Sequence, residues 1–156
     1  MIRATRGVTL ALALAAVAVA GCSGCASGID GARQAITSAE QAQIATTHAL
    51  ATYSLDYQQQ QIEPLLAQAQ SAERAGDVQG GAKLRQSAAD AVATFRAKRA
   101  KATAAIAAVA LATAQARAVV ELVAQGTKKP ADLNQWLTAV ASALASAQVA
   151  AAEVMK

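Results

Sequence analysis

A chain in which 46 of 156 residues are alanine and four are aromatic has few architectures open to it. Alanine is the strongest helix former, whereas strands depend on β-branched and aromatic side chains, so a β-rich fold is excluded and an all-α fold is expected. Alanine also buries little area, so its helices must gather stability along long, closely spaced seams. Two segments interrupt the helical pattern, Gly76-Asp77-Val78-Gln79-Gly80-Gly81 and Gly126-Thr127-Lys128-Lys129-Pro130. Glycine past a helix end and proline before the next helix are ordinary boundary signals. They predict helices over about 31–75, 82–125 and 131–155. The first two are long enough for an antiparallel, coiled-coil-like hairpin with the shorter third helix packed along it.

Apolar periodicity then nominates the seams. In the first helix Ile44, His48, Ala51, Leu55, Gln58, Ile62 and Leu65 alternate spacings of four and three, which places them on one line. His48 is thereby predicted to lie against a partner helix as a polar, register-fixing member. The second helix is apolar along Ala88, Val92, Phe95, Ala102, Ile106, Val109, Ala116 and Val120, with Arg99 on the same face. In the third, Leu133, Leu137, Val140, Leu144, Ala147, Ala151 and Val154 follow the spacing without a polar intruder. Pro64 lacks a backbone donor and disfavours helical geometry before it, which predicts a kink or break at Gln60–Pro64. Tyr53 and Tyr57 stand one turn apart and are expected to pack on a neighbouring helix. The 20 residues from Leu133 to Ala152 are uncharged, yet Asn134, Gln135, Ser142, Ser146 and Gln148 favour a packed amphipathic helix over a membrane span.

The amino terminus carries a different kind of signal. Arg3 and Arg6 precede an apolar run of 13 residues, Val8–Ala20, and no acid occurs before Asp30. Such a run matches a secretory signal core and is shorter than the roughly 20 residues a spanning helix needs. It ends in Val19-Ala20-Gly21-Cys22. This resembles the lipobox of bacterial lipoproteins. The resemblance implies acylation of Cys22, cleavage between Gly21 and Cys22 with Val19, Ala20 and Gly21 as the recognition residues, and a lipid bilayer as the first partner. Residues 1–21 would then be a cleaved signal peptide, 22–31 an acylated flexible tether, and 32–156 the alanine-rich three-helix domain. With Ser23 instead of aspartate after the acylated cysteine, the resemblance favours the outer membrane, facing the periplasm, over the inner membrane. Cys22 and Cys25 also spell C-x-x-C, but with one histidine in the chain and no further cysteine pair a metal or redox motif has no support.

Chemistry finds no foothold. Gly80-Gly81-Ala82-Lys83 lacks phosphate-loop spacing, and no nucleophile elbow, zinc-protease motif or paired-carboxylate constellation occurs. The chain is therefore expected to be no enzyme and to use no cofactor or metal. Arg96, Lys98, Arg99 and Lys101 scatter around a helix axis, which argues for a solvated or lipid-phosphate-facing segment and against nucleic acid. What remains is an envelope structural or protein-interaction module, binding a protein partner or itself through helix faces. An exclusion or lysis-associated factor of a mobile element fits the same residues. Lys156 adds a lesser alternative, since murein lipoproteins end in a lysine that is joined to peptidoglycan. The processing signal generates a direct test. Lipid labelling should be abolished by Cys22→Ser and retained in Cys25→Ser, and acylation of the Cys22→Ser protein would refute the lipobox.

Overall fold

The structure is a computed structural model that describes residues 28–129 and 131–156. Helix occupies nearly all of them: α1 (Ile29–Tyr57), a π-helical turn (Gln58–Ile62), α2 (Glu63–Arg74), α3 (Val78–Ala124) and α4 (Ala131–Val154). No strand occurs among the described residues. At 1.5 Å per residue, α3 is about 70 Å long and α4 about 36 Å. The fold is all-α, as the alanine content requires.

The kink expected at Gln60–Pro64 takes the form of the π turn, which begins two residues earlier. In a regular helix the Pro64 ring would strike the carbonyl four residues before it. Widening the preceding turn gives the ring room, and Pro64 falls in the first turn of α2, where its missing donor is tolerated. α1, the π turn and α2 therefore form one continuous side of the hairpin.

Two glycines in left-handed conformation end the long helices, Gly76 at φ 89° and Gly126 at φ 72°. In each case the following amide reaches back to close the helix: Asp77 N–H donates to the Ala72 carbonyl at 2.9 Å and Thr127 N–H to the Leu122 carbonyl at 2.9 Å. Only glycine adopts this conformation without steric penalty. α3 begins at Val78, ahead of the expected residue 82, because the Asp77 carboxylate caps it by accepting from Gly80 N–H at 2.8 Å. Gly81 lies inside the first turn, where a β-carbon would run into the Glu73 side chain and the Ala69 carbonyl. Its role is close approach of α2 and α3, not the turn itself.

Ion pairs mark the antiparallel register of the hairpin. Arg33 meets Glu121 at 3.0 Å, Arg117 meets Glu40 at 2.7 Å, and Arg85 meets Glu73 at 2.8 Å beside the turn. α4 packs on both α1 and α3 but makes no contact with α2 or the π turn. The molecule thus divides into a three-helix base and a two-helix arm that projects beyond it. Burial follows the division: α3 buries eight residues from Ala102 to Val123 but only Gly81 and Ala88 before them.

The α4 seam matches the sequence pattern residue for residue: Leu133, Leu137, Val140, Leu144, Ala147, Ala151 and Val154 are all buried. The α3 seam holds at Ala88, Ala102, Ile106, Val109, Ala116 and Val120, while Arg99 points to solvent. The α1 seam is a correction. Ile44 and Leu55 are 68% and 63% exposed, and His48, Ala51 and Gln58 are exposed with them, whereas Ile62 is buried as expected. The buried line is Ala32, Ala35, Ile36, Ala39, Ala42, Thr46 and Leu50. Small residues win because they let α1 approach α3 closely while leaving room for the Leu and Val side chains that α4 inserts between them. The buried hydroxyls on this interface are satisfied locally, Thr46 donating to the Ala42 carbonyl at 2.8 Å and Thr113 to the Val109 carbonyl at 3.0 Å.

The base and the exposed α1 line make opposite predictions for the same side chain. Leu144→Ala should cost about 3 kcal/mol of unfolding free energy by leaving a cavity between three helices. Leu55→Ala should change it by less than about 0.5 kcal/mol. Denaturant unfolding of both variants checks the assignment.

Candidate functional site

A bundle of this kind can work through an enclosed cavity, a cluster of reactive groups or its surfaces. One open groove of about 500 Å3 lies between α1 and α3. Its floor is Ala110, Ala114 and Ala118, and the Arg117–Glu40 pair crosses it. No group of three or more His, Cys, Asp and Glu side chains is gathered to hold a metal among the described residues. His48 stands alone on the exposed side of α1. Val19, Ala20, Gly21, Cys22 and Cys25 lie outside the described residues, and Lys156 is exposed just beyond α4.

The arm carries the most specific side-chain arrangement. At the junction of base and arm, where Tyr53 and Phe95 also pack against the core, Tyr57 stacks on Phe95 with ring centroids 4.4 Å apart and planes 10° from parallel. Tyr53 stands 6.2 Å from each of them, and the Tyr57 hydroxyl donates to the Ala91 carbonyl at 3.5 Å. The tyrosine pair thus packs across the hairpin, as its one-turn spacing predicts. Burial, reinforced by the neighbouring Tyr57, raises the Tyr53 hydroxyl above its ordinary pKa.

Near the turn, Glu73 accepts from Arg85 Nε and Nη2, each at 2.8 Å. This fork is geometrically specific. Its hydrogen bonds, with the added charge of the guanidinium and against some desolvation, hold the Glu73 carboxyl below its usual range. The clamp is not singled out by periodicity. Its signal in the sequence is only an acid shortly before Gly76-Asp77 and a base after the glycines that follow it.

The remaining surface features are exposed side chains. Arg96, Lys98, Arg99 and Lys101 are all exposed where α3 leaves the base, and none forms an ion pair among the described residues. Val78 is 69% exposed at the arm tip. α3 and α4 are each long and apolar enough to cross a membrane, although the leucines of α4 face inward. Compared with known families, with curated proteins and with solved structures, the chain finds no match in any of the three.

The arm should respond to perturbation separately from the base. Phe95→Ala should raise amide exchange in α2 and early α3 by about tenfold, equal to about 1.4 kcal/mol of local opening, with α4 protection unchanged. The Glu73 clamp adds a pH dependence. Its folded pKa is depressed, so its stabilisation is present above the ordinary carboxylate pKa and is lost as pH falls through the lower folded value. Exchange at the arm tip should rise over that acid window, and Glu73→Gln should show raised exchange at neutral pH with little further acid response.

Proposed function

We propose that the chain is a lipid-anchored protein of the bacterial envelope that acts without catalysis, as a helical structural and protein-interaction module. The observation that carries the reading is the division of the fold. α4 covers only the half of the hairpin next to the N-terminus of α1, leaving the arm to project from the opposite end. The helical domain begins at Ile29, seven residues after Cys22. A tether of that length reaches at most about 25 Å. The base therefore stays near the bilayer, while the arm tip, up to about 70 Å along the rod, can stand well clear of it. A long shaft whose main groove is open suits presentation of helix faces to a macromolecule. The cationic ring at residues 96–101 belongs to the root of the arm, where it is available to lipid phosphates when the rod tilts. Ser23 favours the outer membrane, with the domain in the periplasm.

Expression in a bacterium that processes lipoproteins tests the reading. The full-length protein should fractionate with the outer membrane, and a photo-crosslinking residue at Val78 should trap an envelope protein. That adduct should be lost when Cys22→Ser releases the rod. Recovery of the unaltered protein from the soluble fraction would overturn the anchored reading.

A further inference from the structure

Of the line that periodicity nominates as the α1 seam, the stretch from Ile44 to Leu55 is not used inside the molecule, whereas Ile62 further along is buried. Thr37, Gln41, Ile44, His48, Ala51 and Leu55 alternate steps of four and three and are all exposed. They lie roughly opposite the buried line of the same helix. A stripe repeating every 3.5 residues is the pattern by which one helix follows another in a supercoil, so its natural occupant is a helix. We propose that this occupant is a second copy of the chain, with α1 lying parallel and in register along α1.

Charge supports a like partner. No Asp, Glu, Lys or Arg occurs between Glu40 and Asp56, and the flanking positions Ala45, Thr47 and Thr52 are small or uncharged. The stripe is therefore self-complementary, brings no like charges together, and offers no charge by which to select a different protein. In parallel register Ile44 meets Ile44, Leu55 meets Leu55 and His48 meets His48, the last being the polar layer that fixes register.

Area sets the conditions. About 20 residues of one helix face, roughly 30 Å by 10 Å, offer about 300 Å2 per partner, well below the about 800 Å2 of a standard stable interface. The pairing therefore needs a raised local concentration, which confinement to one membrane supplies. The shared anchor also makes the copies parallel. Concentration and direction both rest on the lipid-anchored reading proposed above.

The test uses the full-length, membrane-bound chain carrying Cys25→Ser. Ile44→Cys alone and Leu55→Cys alone should each give a disulfide-linked dimer on mild oxidation, whereas Leu111→Cys, exposed on α3, should give at least tenfold less. Adding Leu55→Glu to Ile44→Cys should reduce the dimer at least tenfold without changing the melting temperature, because Leu55 contributes nothing to the monomer core. Dimer formed only when Ile44→Cys and Leu55→Cys proteins are mixed would overturn the parallel register in favour of an antiparallel one. Equal crosslinking at Leu111→Cys would reduce the signal to random collision and overturn the pairing. Palmitate labelling of the same samples reports the anchor independently. Labelled protein without dimer overturns the pairing and leaves the anchor standing, and dimer in unlabelled protein overturns the anchor.

Discussion

Close packing of small side chains is the constraint on which this fold depends. Ala32, Ala35, Ala39 and Ala42 on α1 and Ala102 and Ala116 on α3 are buried at 6% exposure or less. Each contributes little area, and two alanine-faced helices alone make a thin interface. α4 compensates by supplying Leu133, Leu137, Val140 and Leu144 as large residues inserted among the small ones, in the manner of knobs into holes. The third helix is therefore the element that turns an alanine-rich hairpin into a core.

Where α4 stops, different interactions hold the chain. The arm buries only Ile62, Ala69, Gly81 and Ala88 and depends on the Tyr53–Tyr57–Phe95 cluster, the Glu73–Arg85 fork and the close approach at Gly81. These are local and few, so the arm should open with less free energy than the base. A densely packed base and a sparsely packed far end follow from which half of the hairpin α4 covers.

How much of this was legible in the sequence depended on how many apolar lines each helix carries. α4 has one, and spacing identified every buried residue in it. α1 has two lines of nearly the same period, one rich in alanine and ending in tyrosines, the other bearing Ile44 and Leu55. Ranking by aliphatic size selected the second, whereas close approach to α3 selected the first. The Tyr53–Tyr57 pair lies on the buried line and was the available clue. The extent of the arm was not legible, because it depends on where α4 ends against α3. The early start of α3 was signalled by Asp77, whose cap places two glycines inside a helix where composition alone suggests a turn. The lipobox residues fall outside the described part of the chain, so the candidate anchor rests on the motif itself.

Hydropathy has to be interpreted by position in a chain of this composition. α3 residues 102–116 and α4 residues 133–152 contain no charge, and both helices are apolar enough on average to cross a bilayer. In α4 that average is made by two different faces. The leucines and valines of the seam point inward, and Asn134, Gln135, Thr138, Ser142 and Ser146 point outward among alanines. Lipid would favour the reverse, with polar groups turned into the bundle to find partners. The outward amides and hydroxyls give α4 a polar face opposite its apolar seam, and its hydropathy belongs largely to the seam. The same distinction applies to α1 with the opposite result. Its exposed Ile44 and Leu55 are large residues that no internal seam claims.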